Sequence, residues 1–295
     1  MGFVKRYKGR GSYDLLSNYN HFMPGFSETG WLFILFLLGS LLGSIVVAAL
    51  GFIIPAEYMN IISYPIMFIP AMLYASNKSR YNENFEDGYK LDNNNFKIGM
   101  GIKLAFAAMV MTLASAILIE PANMLLPPMP KILIEMMENM MTGPAWVTFI
   151  SVSIFAPFFE EWLCRGLILR GLIKRAGPAW AIILSALFFA IIHMNPWQAL
   201  PAFIMGIIFG YVYYKTGSLK LTMLMHFTNN TLVLSLSLIP SLQEMEYLKD
   251  VLSPWAYGII YALAAVALIC GLIIFKSIPQ KEGYLGGCQK IKSIF

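Results

Sequence analysis

Charge is scarce in this sequence. Only 13% of its 295 residues are Asp, Glu, Lys or Arg, against 58% hydrophobic. Soluble domains carry about a quarter charged residues, so this composition excludes them and points to a polytopic membrane protein. Cysteine is nearly absent. Cys164, Cys270 and Cys288 show no CxxC or zinc-knuckle spacing, so neither a disulfide framework nor a structural zinc site is expected. Histidine is limited to His21, His193 and His226. The net charge of +5 is no nucleic-acid footprint, because the basic residues fall in alternate loops rather than on one patch. A polar, basic start followed by an apolar run too long for a signal peptide implies no cleaved leader. No internal repeat and no second domain is visible.

What is present is a series of apolar runs, each near the ~20 residues that cross a bilayer as a helix. They predict an all-α polytopic fold of about eight transmembrane helices, at residues 31–54, 59–76, 99–119, 144–169, 179–194, 197–214, 219–239 and 255–275. Residues 1–30 read as a cytoplasmic arm, in which His21 is expected to be solvated. Residues 31–143 hold the first three spans and an outer loop. Residues 144–239 hold spans four to seven, and 240–295 the last span and a tail. Within the outer loop, 131–141 is Met-rich and amphipathic and should lie on the membrane surface. Gly39 with Gly43, and Gly206 with Gly210, are small-residue faces that let helices approach closely. Arg170, Lys174 and Arg175, followed by Ala176-Gly177-Pro178, read as a basic turn. Lys131 and Lys249 are the only basic residues on the loops opposite the basic ones, so both termini are expected in the cytoplasm.

The stretch Pro157-Phe-Phe-Glu160-Glu161-Trp-Leu-Cys164-Arg165 stands apart. Hydrocarbon does not solvate charge, so ionisable groups persist in a span when they pair, line a wet cavity or do chemistry. On a helix Glu161 and Arg165 are i and i+4 and face each other as an ion pair. Glu160 points about 100° away. One carboxylate is neutralised and the other is left to face its neighbours. His193 and His226 are the remaining ionisable groups well inside spans. Glu160 lies sixteen residues before Ala176 and His193 sixteen after Gly177, the two residues at the centre of the turn, hence at one height, roughly 24 Å from it at ~1.5 Å per residue. His226 and Asn230 are again i and i+4.

Glu160-Glu161-x-x-x-Arg165, Phe189-x-x-x-His193 and His226-x-x-x-Asn230, in this order on separate spans, resemble the motifs of the CPBP family. That family contains type II CAAX prenyl endopeptidases and bacterial Abi proteins. The resemblance implies an intramembrane protease in which Glu160, with His193, activates a water that attacks a peptide carbonyl. It also implies that His226 and Asn230 donate to the oxyanion, while Glu161 and Arg165 brace the helix. Phe189 would pack under the His193 ring. The implied partners are the lipid bilayer and a membrane-associated peptide or protein, in a prokaryotic plasma membrane. General chemistry agrees: a base must reach the water, and His and Asn donors act strongly in a low-dielectric site.

Blander readings accompany each residue. A buried Glu–Arg pair is often only a structural staple, and a lone intramembrane His or Asn often joins two helices. Cys164 reads as packing. No cofactor is favoured. If zinc were bound, Glu160, His193 and His226 would be its ligands, yet the HExxH pattern is missing. A non-catalytic scaffold or bacteriocin-immunity-type protein is the alternative function. A proton-coupled transporter ranks below it, because no paired broken helices are seen.

Overall fold

The structure, a computed structural model, describes residues 16–85, 87–141, 143–239 and 247–279. Lys5, Arg6, Lys8, Arg10, Glu244, Glu246, Lys281, Cys288, Lys290 and Lys292 lie outside the described residues. The fold is all-helical, and the described residues contain no strand. In chain order the helices are α1 (Phe26–Leu50), α2 (Met59–Asn82), α3 (Ile98–Asn123) and the short amphipathic α4 (Lys131–Met141). There follow α5 (145–176), α6 (178–192), α7 (Pro196–Thr216), α8 (Leu219–Ser237) and α9 (Pro254–Lys276).

Six of these stretches are long and apolar enough to cross a membrane, with Ala145–Ile192 counted as one run of 48 residues. A straight helix of that length would reach roughly 72 Å, more than twice the hydrocarbon thickness of ~30 Å. It is not straight. Gly177 takes φ 75°, ψ 167° and separates α5 from α6. Pro178 explains the place, since proline disfavours helical ψ in the residue before it and only glycine accepts that φ easily. Helix α8 is absent from the six because Lys220, Thr222, His226, Thr228, Asn229 and Asn230 dilute its apolarity.

Local chemistry sets the other boundaries. Asn195 caps α7 by accepting from the Trp197 amide at 3.0 Å, and Gly217 ends it at φ 64°. Ser218 then caps α8 through the Leu221 amide at 3.3 Å. Helix α5 alternates pitch. Phe149–Phe155 and Trp162–Leu169 are π-helical, and Ala156–Glu161 between them is α-helical. Pro157 brings no amide N–H to the ladder, and wide turns are one way a helix absorbs such a gap. Both glutamates sit in that short α segment.

The small-residue faces pack as expected. A Cβ on Gly39 would overlap the Met67 carbonyl, so α1 and α2 touch backbone to backbone. Gly206 lies 3.0 Å from Ala186 of α6 by the same measure. The core is aromatic-rich around Trp162, Phe68 and Phe22, and Leu163, Cys164, Leu167 and Ile168 fill it from α5. Cys164 is buried packing.

Two expectations are corrected here. Residues 16–25 are not a solvated arm. Tyr19, Phe22 and Met23 are buried, and His21 is half-buried with its amide on Ser79 Oγ at 3.1 Å. Arg170 is not on an exposed basic turn either. Its guanidinium is fully buried and donates to the carbonyls of Tyr19 (2.9 Å), Phe22 (2.8 Å) and Tyr89. One buried cation thus ties the N-terminal segment and the 87–97 loop to α5. The same loop closes onto the α7–α8 turn, where Asp92 accepts from the Leu219 amide at 2.9 Å.

Candidate active site

Helix α5 supplies Glu160, Glu161 and Arg165; α2, α6, α7 and α8 close around them. Glu161 is fully buried. Its Oε1 accepts from Arg165 Nη1 at 2.7 Å, the i, i+4 pair read from the spacing. Arg165 is equally buried and spreads its remaining interactions over three neighbours. Nη2 donates to the Gly206 carbonyl at 3.1 Å, and the guanidinium carbon lies 4.5 Å from the Phe189 ring centre and 5.4 Å from that of Phe209. A bare glycine at 206 is what lets α7 pack closely on Ala186 and Phe189 of α6.

Glu161 does more than brace the helix. The same Oε1 accepts from Nδ1 of His226 at 3.2 Å. A carboxylate only accepts, so Nδ1 carries the proton in this bond. The other ring nitrogen, Nε2, faces Glu160 Oε2 at 3.9 Å. His226 thus stands between the two carboxylates, bonded to one and aimed at the other. Phe189 meets the ring edge-on at 5.4 Å and Phe209 lies at 5.8 Å, so apolar faces fix its orientation.

Glu160 is 9% exposed. Its Oε1 accepts from the Tyr64 hydroxyl of α2. Its Oε2 is buried without a hydrogen-bond partner among the described residues. Each carboxylate leaves its Oε2 without a hydrogen-bond partner among the described residues; they differ in that Glu161 gives Oε1 to both Arg165 and His226, whereas Glu160 gives Oε1 to Tyr64 and turns Oε2 toward His226.

His193 is half-buried and caps the C-terminus of α6. Its Nδ1 lies 2.7 Å from the Phe189 carbonyl, which accepts, leaving Nε2 as the ring's basic nitrogen. Phe189 touches the His193 ring edge-on at 4.9 Å. It does not merely underlie His193, since it also contacts His226 and Arg165. Met194 follows at φ 49°, a left-handed conformation unusual outside glycine. Among the described residues neither hydrogen bond nor ion pair joins His193 to Glu160. Asn230 projects from α8 toward α5 like His226, but its Nδ2 donates to the Val152 carbonyl at 2.8 Å and its Oδ1 accepts from Asn229 at 3.2 Å.

The structure thus joins Glu160, Glu161, Arg165, Phe189 and His226 directly, and sets His193 and Asn230 at the margins. Tyr64 is the partner that the sequence did not disclose. It sits near the start of α2, directly before Pro65, and its meeting with Glu160 is purely tertiary. Among the described residues no three His, Cys, Asp or Glu side chains are grouped closely enough to hold a metal ion.

Comparison with known proteins returned one family. Residues 142–232 match the family described as type II CAAX prenyl endopeptidase Rce1-like. That segment runs from the residue before Gly143 to two residues past Asn230, and so contains all three motifs. No curated protein and no solved structure matches the chain.

Proposed function

We propose that this integral membrane protein, whose residues 142–232 match the type II CAAX prenyl endopeptidase Rce1-like family, a family of proteases, is an intramembrane endopeptidase. Its substrate is a membrane-associated peptide or protein, and CAAX-type processing is the reaction class. The carrying observation is the free, buried Oε2 of Glu160 facing His226 Nε2 at 3.9 Å.

In this reading a water binds at Glu160 Oε2 and gives that oxygen a proton as its own oxygen attacks the scissile carbonyl carbon. The basic Nε2 of His193 reaches the same water from α6. A shared water needs no direct bond between the two residues. Negative charge gathers on the former carbonyl oxygen. His226 Nε2 donates to it when the ring carries both protons, with Nδ1 held by Glu161 Oε1. Asn230 adds a second donor once its amide leaves the Val152 carbonyl. Collapse breaks the C–N bond, and the proton held by Glu160 passes to the leaving nitrogen. The low-dielectric surroundings strengthen each of these interactions.

No metal takes part in this scheme. Purified protein in detergent, offered a panel of membrane-tethered peptides with and without prenylated C-termini, should cleave at least one after exhaustive chelation. Elemental analysis should find well below one zinc per chain. Activity that vanishes on chelation and returns with Zn²⁺ would replace general-base with Lewis-acid chemistry.

The competing reading is a scaffold or immunity-type protein that keeps the cluster for stability. The engagement of Asn230 by Val152 favours it. A Glu160→Gln chain that complements a deletion phenotype as well as wild type would establish that reading.

We propose further that both termini face the cytoplasm of a prokaryotic plasma membrane and that eight helices cross it. Reporters fused after Gly177 and Gly217 should then read cytoplasmic. Reporters near Pro128 and Glu246 should read external. An exchange at any one of the four overturns the orientation or the count.

A further inference from the structure

The Tyr64 hydroxyl reaches Glu160 from outside the family-matched segment, from a helix that carries none of the three motifs. Its setting is rigid. The Tyr64 ring lies 5.9 Å from that of Phe68, which is fully buried and stacks on Phe159 at 5.1 Å, next to Glu160 in sequence. On the adjoining flank of α2, Ser63 and Met67 lie against Gly43 and Gly39 of α1. The glycine face of α1 thus holds the α2 backbone along one flank, and the aromatic wall holds the tyrosine ring beside it. Two features that the proposed mechanism leaves unused, the α1 small-residue face and the aromatic stack, converge on one hydroxyl.

We infer that Tyr64 is a positioning residue for the general base, an inference that rests on the protease reading. A carboxylate rotates about its last bond, and in an apolar pocket either oxygen would serve equally unless one is held. Tyr64 holds Oε1. Oε2 is then the only oxygen of Glu160 free to take the water's proton, and it is the one that faces His226. The tyrosine exchanges no proton in the reaction. It fixes which oxygen does.

The bland reading is that Tyr64 only satisfies a buried carboxylate. The two differ in what they do to turnover. Tyr64→Phe keeps the ring, its stack and the fold, and removes only the hydroxyl. As a positioning residue, its loss should lower kcat by about 10- to 100-fold, the range for one hydrogen bond to a charged group, with KM unchanged. A kcat within twofold of wild type, or a changed KM with kcat intact, overturns the inference. A thermal-unfolding cycle of Tyr64→Phe, Glu160→Ala and the double variant reads the bond without any activity, since alanine removes the acceptor. Non-additive midpoints support the coupling, and additive midpoints overturn it. If wild type cleaves no peptide at all, the protease reading has failed, and this cycle still decides whether Tyr64 holds Glu160.

Discussion

Glu160→Gln should leave a folded protein whose cleavage rate is lower by at least about 10²- to 10⁴-fold, the range assigned to a positioned general base. The substitution is chosen because it changes so little else. An amide has the shape of the carboxylate, and its carbonyl oxygen still accepts from Tyr64. No close ion pair is broken, because the nearest charged partner of Glu160 is His226 at 3.9 Å, beyond hydrogen-bond length. The midpoint of thermal unfolding in detergent should therefore stay close to wild type while turnover collapses. Substrate affinity should hold as well, since Glu160 acts on water and not on the peptide. Single-turnover cleavage of whichever tethered peptide wild type accepts is the measurement. Residual cleavage within tenfold of wild type would mean that another group takes the proton, with His193 Nε2 the next candidate.

How far the sequence led can be judged residue by residue. The Glu161–Arg165 pair was legible because i, i+4 spacing is a property of the helix alone, and it survives even where α5 changes pitch. The break at Gly177 was legible for the same reason, since the glycine and the proline after it act locally. Helix ends extended past their apolar runs. Helix α1 begins at Phe26 and α2 runs to Asn82, because capping and packing continue after hydropathy fades. What stayed hidden were particular contacts with distant partners. The burial of residues 16–25 needs Arg170, which composition assigns to a basic turn. The heights of Glu160 and His193 were counted along uniform α-helices, and spacing alone did not disclose that Trp162–Leu169 is π-helical. His226 was expected to serve an oxyanion, and its bond to Glu161 Oε1 was invisible without the fold. Tyr64 is the extreme case: one tyrosine among fifteen, given its role by a contact across 96 positions.

Glu161→Ala should damage the fold more than any other change at the site. Arg165 is fully buried, and without Glu161 its charge keeps only the Gly206 carbonyl and the faces of Phe189 and Phe209. Breaking a buried pair on one side costs about 3–5 kcal/mol, because a charge is left unpaired in low dielectric. Thermal unfolding in detergent and the yield of monodisperse protein should both fall. The loss is attributable to the stranded cation if Glu161→Leu with Arg165→Met regains stability, since replacing both partners of a buried pair by apolar groups is often neutral or stabilising. Activity should not return with it. Glu161 Oε1 is also the acceptor that fixes the His226 proton on Nδ1. In the double variant His226 loses that anchor, Nε2 is no longer held toward Glu160, and oxyanion stabilisation should stay low by roughly 10²- to 10³-fold. A double variant that is both stable and fully active would show that Glu161 serves the fold alone, and the assignment of His226 to the oxyanion would fall with it.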